Sequence, residues 1–144
     1  MRNQGWVCPM AIQGDEPMFT RPSAVQKVAE IARLWSAGDP VEAARVYAPN
    51  ATMRVNDSLI VGRGAITGWL SARWPAAVQV DFHAQLWGFS GNRFAIRFRS
   101  EWQDRLGIRW QEIGLEIWEF STPDVIGRSV RTSRRRPLGD VAAA

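Results

Sequence analysis

Two runs in the C-terminal half of the chain set ionisable side chains at every second position. Arg97, Arg99 and Glu101 form the first; Glu112 and Glu116, spaced among Trp110, Gly114 and Trp118, form the second. Alternate residues of an extended chain share a face, so each run presents its charges to one side of a strand. If both faces line one concavity, a guanidinium and a carboxylate meet beside aromatic walls. That arrangement shifts a carboxyl pKa and suits proton transfer to or from a bound organic molecule. On this reading Arg97 and Arg99 hold an oxygen or an anion, Glu101 or Glu116 moves a proton, and Trp110, Glu112 and Trp118 line the pocket. The plainer alternative is a structural ion pair across strands, since such networks also perturb pKa values.

Other chemistries find less support. His83 is the single histidine and Cys8 the single cysteine, far apart in sequence, so neither a zinc site nor an intrachain disulfide is expected. His83 suits a strand-surface position as well as a general base. The chain carries no Gly-rich phosphate loop and no serine nucleophile elbow, and no cofactor is expected. Eight tryptophans fit a pocket for an apolar or aromatic ligand, with Trp35 shared between pocket wall and core. The partners expected are a small-molecule ligand and a second copy of the chain. Whether the chain is an enzyme or a ligand-binding module without turnover stays open on the sequence.

The net charge of +4 is uneven. Residues 1 to 120 hold 13 basic and 12 acidic side chains, whereas the last stretch carries Arg128, Arg131, Arg134, Arg135 and Arg136 against two acids. A short arginine cluster can contact phosphates, yet it more often belongs to a solvated chain end, so nucleic acid is not the expected partner. No apolar run approaches the roughly 18 residues of a membrane span. The segment Met1 to Trp6 has no signal-peptide character, and a cytoplasmic protein is expected.

These side chains need a frame. At 144 residues the chain suits one domain able to bury a core without staples. Residues 1–18 read as an irregular arm, 19–133 as the domain and 134–144 as a flexible basic tail. Ser23 to Gln26 has the form of a capping box, which would start a first helix whose buried stripe is Val25, Val28, Ala32 and Trp35. Gly38 stops it, and Asp39-Pro40 opens a short second helix ending near Tyr47. A strand over 51–56 and its return over 59–61 precede a third helix over 64–74, broken by Pro75. From Ala77 the period changes from helical to alternating, giving strands over 78–89, 92–103, 108–120 and 125–132. The class is α+β: a cone-shaped roll of three N-terminal helices on a strongly bent antiparallel sheet. Its apolar alternates Ile96, Phe98 and Trp102 would need a partner's surface for cover.

Several stretches carry a family resemblance. Ser36 to Asp39, Tyr47 to Thr52 and Gly62 to Ile66 resemble the opening signature of the nuclear transport factor 2-like superfamily, which includes ketosteroid isomerase, SnoaL-like cyclases and limonene epoxide hydrolase. Phe19-Thr20, Ala24 to Val28 and the run Leu86 to Phe120 are similar to motifs of a mostly bacterial branch of it. That resemblance implies a cone with a deep pocket, and often a dimer through the outer sheet face. By the same resemblance Glu116 takes the position of a pocket acid of the isomerase, and Arg99-x-Glu101 that of the hydrolase's Arg-x-Asp pair. Met53 and Val55 stand where those enzymes place other polar catalytic groups, which makes them pocket-lining here without those groups.

Overall fold

A computed structural model describes residues 17–74 and 79–139. Most of the expected N-terminal arm and the last five positions lie outside the described residues. Helix α1 (Arg21–Ser36) is capped by Thr20, three residues earlier than the sequence suggested. The Thr20 hydroxyl accepts from the Ser23 amide at 3.3 Å and the Ser23 hydroxyl accepts from the Thr20 amide at 2.9 Å, so Ser23 is the far half of the box. Pro22 fits because a first turn needs no proline amide. The earlier start turns the buried stripe to Ala24, Val28, Ile31 and Trp35, leaving Val25 exposed. Helix α2 (Pro40–Ala44) is capped as expected by Asp39, which accepts from the Val41 and Glu42 amides. It ends early, and Tyr47 already belongs to a strand.

Strand β1 (Tyr47–Val55) turns through Asn56, at φ 51°, into β2 (Ser58–Val61). Asparagine tolerates that left-handed position better than most side chains. Helix α3 (Arg63–Arg73) follows, so only two helices precede the sheet. The meander is β3 (Asp81–Ser90), β4 (Arg93–Gln103), β5 (Arg109–Thr122) and β6 (Val125–Pro137). The six strands run in the order β2-β1-β6-β5-β4-β3, and β1 lies parallel to β6. The sheet is therefore mixed rather than antiparallel throughout, because the chain returns to pair its last strand with its first.

Register sorts the side chains. Directly paired residues share a face, and on the inner face the pairs are Trp110 with Trp102, Glu112 with Ser100, Glu116 with Ile96 and Trp118 with Phe94. Across the other edge of β5, Gly114 meets Ser133, Glu116 meets Arg131 and Trp118 meets Ser129. A Cβ on Gly114 would overlap the Thr132 carbonyl oxygen and the Ser133 backbone, so glycine is what lets β6 close tightly onto β5 and the sheet bend. Helix α1 packs on β3, and the Ser36 hydroxyl ties its end to the Phe82 backbone. Inside, Phe19, Phe94 and Phe120 form a triangle with ring centroids 4.7–4.9 Å apart, and Trp35 packs on Phe82 at 5.0 Å. Ile96, Phe98 and Trp102 are buried in this core and need no partner to cover them. The apolar side chains left on the outer face of β5 are Ile113, Leu115 and Ile117.

Candidate functional site

The inner face of β5 and β6 alternates polar side chains where the neighbouring strands supply apolar ones. At its centre lies Arg131, 3% exposed, opposite Glu116, 1% exposed. Arg131 Nε donates to Glu116 Oε1 at 3.0 Å, and its Nη1 donates to Glu112 Oε1 at 3.2 Å. The same Glu112 oxygen accepts from Arg73 Nη1 of α3 at 2.7 Å, and the Ser133 hydroxyl donates to Glu112 Oε2. Trp118 Nε1 donates to Glu116 Oε2 at 3.1 Å. Three rings surround the Arg131 guanidinium: Phe98 at 4.3 Å, Trp69 at 5.2 Å and Trp35 at 5.5 Å. Two cations thus face two carboxylates in a chain running from Glu116 outward to Arg73.

Burial and pairing oppose one another here. Burial disfavours the charged form of Glu112, but Arg131, Arg73 and the Ser133 hydroxyl outweigh it and hold its carboxyl below the usual range. Burial likewise works against Arg131, yet Glu116 and Glu112 lift its pKa above the ordinary arginine value. Arg73 has fewer partners, and burial brings it down to about 10, still charged at neutral pH. The Tyr47 hydroxyl is pushed up first by burial and then by the Glu116 charge, so it stays protonated. Tyr47 and Ser129 lie beside the Arg131–Glu116 pair. Trp35 Nε1 and Arg131 Nη2 are buried without a hydrogen-bond partner among the described residues, and the Tyr47 and Ser129 hydroxyls, also buried, have besides that pair only each other nearby.

The residues singled out by sequence divide between the two faces. Trp35, Glu112, Glu116 and Trp118 gather around Arg131, and Met53 and Val55 join them because they pair with Ser129 and Arg131. Trp110 is half-buried further along, with the Arg135 guanidinium 4.9 Å from its ring and its own Nε1 bound to Asp104. Arg97, Arg99 and Glu101 lie on the outer face, paired with Leu115, Ile113 and Gln111. Glu101 there accepts from Gln111 at 3.1 Å and lies 3.4 Å from Arg109. Arg99 and Glu116 therefore do not meet, because the two runs have opposite parity across the β4–β5 register. His83 is also outside, in an exposed pair with Asp81 at 2.8 Å.

Tyr47, Arg73, Ser129, Arg131 and Ser133 were not among the expected site residues. The available signal was the alternation Ser129, Arg131, Ser133, which a strand ending at Thr132 concealed. The arginine cluster is not a free tail: β6 continues to Pro137, with Arg134 and Arg136 facing outward and Arg131 inward. No group of three or more metal-binding side chains occurs among the described residues, and none of their helices is long and apolar enough to cross a membrane.

The fold has solved relatives. An epoxide hydrolase/cyclase-like enzyme, SalBIII, described as acting in pyran ring formation in the polyether salinomycin, superposes with a TM-score of 0.65 at 17% identity, covering 82% of this chain and 98% of that one. A Bacillus subtilis protein described provisionally as an isomerase superposes at 0.64 with 12% identity, covering 78% of this chain and 87% of its own. Identities this low establish the fold alone, which agrees with the nuclear transport factor 2-like, SnoaL-like cone. No curated protein matches the sequence. A family model described as "Protein of unknown function (DUF1348)" matches residues 17–136.

Proposed function

We propose a small-molecule acid–base function for this chain, which belongs to the family described as Protein of unknown function (DUF1348). The site is the interior of the cone around Arg131, and the chemistry is of the epoxide-opening or isomerising kind. One observation carries the reading: a fully buried carboxylate, Glu116, paired with Arg131 beside a protonated phenol, Tyr47, whose one polar neighbour besides that pair is the Ser129 hydroxyl among the described residues. Folding gains nothing from unpaired buried polar atoms such as Trp35 Nε1 and Arg131 Nη2, which cost free energy wherever no ligand or water meets them. In this role Arg131 and Tyr47 polarise a substrate oxygen and Glu116 moves a proton. Trp35, Trp69 and Phe98 offer apolar walls. The fold relatives described as hydrolase/cyclase-like and isomerase-like are consistent with this class.

The test is turnover of a panel of epoxides, enol-ketones and lactones. Turnover lost in Glu116→Gln, with the fold intact by near-ultraviolet circular dichroism, supports the enzyme. Binding without turnover would make the chain a ligand-binding module.

We also propose that two copies associate through the outer sheet face. Ile113 and Leu115, each 48% exposed, and Ile117 form a stripe there, bordering a groove of about 670 Å³ that includes Arg97, Arg99 and Arg134. Exposed apolar stripes of this kind commonly mark interfaces. Light scattering that found only monomer at micromolar concentration would contradict the association.

A further inference from the structure

Charge is unevenly matched across the outer face of the sheet. Register sets two rungs over its centre: Arg99, Ile113 and Arg134 on one, Arg97, Leu115 and Thr132 on the next. Neighbouring strands lie about 4.8 Å apart, so Arg97 and Arg99 stand to one side of the Ile113–Leu115 stripe and Arg134 to the other, about 10 Å across at the backbone. Two long arginine side chains leaning over a shared group can close such a gap. All of these residues line the same groove of about 670 Å³.

The carboxylates on the strands of this face lie towards its ends, each with a partner of its own. Asp81 meets His83 at 2.8 Å. Glu101 faces Arg109 at 3.4 Å and, through Gln111, Arg136. Glu119 faces Arg93 at 3.5 Å and Arg128 at 3.9 Å. Arg97, Arg99 and Arg134 form no ion pair among the described residues, and the Arg97 guanidinium has the Trp87 ring 5.9 Å away. Three positive charges are left over beside an apolar stripe. A two-fold pairing of copies through this face would set that patch against its own copy, and burying unmatched guanidiniums is costly. We infer that the groove binds a small multivalent oxoanion, carrying phosphate or carboxylate groups, between Arg97 and Arg99 on β4 and Arg134 on β6. Planar guanidiniums match such groups through paired N–H donors. The bound anion takes no part in the chemistry proposed for the interior. It offsets the charge that keeps two outer faces apart, so anion binding and association favour each other. That linkage rests on the proposed association of copies, whereas the anion site does not.

Calorimetric titration of the full chain with pyrophosphate and with citrate tests the site, and sedimentation in the same anions against sodium chloride at matched ionic strength tests the linkage. The two probes separate phosphate from carboxylate as the group taken. At ten times its dissociation constant, an anion held only by the paired form should strengthen association by roughly tenfold per site beyond the effect of chloride. Arg99→Gln combined with Arg134→Gln should abolish the calorimetric binding and allow association without added anion. No binding of either anion, or binding unchanged in the double variant, would overturn the site. Association that answers to pyrophosphate and citrate no more than to chloride would overturn the linkage. Binding lost in the double variant while the chain stays monomeric in every buffer would support the site and contradict the pairing of copies. Full association without added anion, lost in Glu101→Gln or Glu119→Gln, would mean that a carboxylate of the second copy fills the groove, and would overturn the inference.

Discussion

Arg131 is the residue on which the interior depends, because Glu116 and Glu112 both rely on its charge while sharing almost no contact with solvent. Replacing it with methionine keeps the volume and leaves those carboxylates short of a cation. The expected cost is about 3–5 kcal/mol, the range for breaking a buried pair from one side, measured as a shift in the denaturant midpoint. Protons reach the same cluster through Glu112. Its folded pKa lies below the unfolded value of about 4.3, so its contribution to stability is complete above that pH and is lost as pH falls through the depressed folded value. Acid titration of unfolding should therefore show stability falling below about pH 4, with a shallower slope in Glu112→Gln. Glu112, Glu116 and Trp118 were legible as a shared face from spacing alone. Arg131 was not, because a cluster of arginines near a chain end has the composition of a solvated tail, and only the register with Glu116 reveals which of them turns inward.

At the scale of elements, the strands and the change of period were legible, whereas the relative parity of two neighbouring strands was not. The runs containing Arg99 and Glu116 each alternate correctly, but which face of β4 joins which face of β5 is fixed by the turn at Asp104 to Gly107, and a shift of one residue exchanges the faces. The same limit explains the apolar alternates: Ile96 and Phe98 are core, and Ile113 and Leu115 are surface. The parallel pairing of β1 with β6 joins segments far apart in sequence, which local pattern does not encode. Two substitutions test this element-level picture. Gly114→Ala puts a methyl group into the β6 backbone and should cost at least the roughly 1–3 kcal/mol of an overpacked site, with wider spacing of β5 and β6 in a crystal structure. Thr20→Ala removes the cap of α1 and should cost about 1 kcal/mol, whereas Gln26→Ala, at the other end of the box the sequence suggested, should cost little.

For the whole molecule, the outer face combines an apolar stripe with Arg97, Arg99 and Arg134, none of which forms an ion pair among the described residues. Two such faces brought together repel through their arginines while burying their isoleucines and leucines. Association should therefore strengthen as salt is raised, and Leu115→Glu should shift it markedly in light scattering. Binding to nucleic acid should behave in the opposite way: weak at physiological salt, no tighter than about 10⁻⁴ to 10⁻⁶ M, and weaker still as salt rises. The strand pairing that turns Arg131 inward and sets Arg134 and Arg136 outward holds the cluster within β6 as far as Pro137. On the proposed reading, function resides inside the cone and not on the outer face where Arg99 and Glu101 lie. Initial rates on one turned-over epoxide or enol-ketone, for Glu116→Gln and Tyr47→Phe beside Arg99→Ala and Glu101→Gln, test it most directly. The inner substitutions should lower kcat by about 10²–10⁴, as for loss of general acid–base groups, and the outer ones should leave it within a few-fold. Loss of turnover in Glu101→Gln with Glu116→Gln unaffected would contradict it.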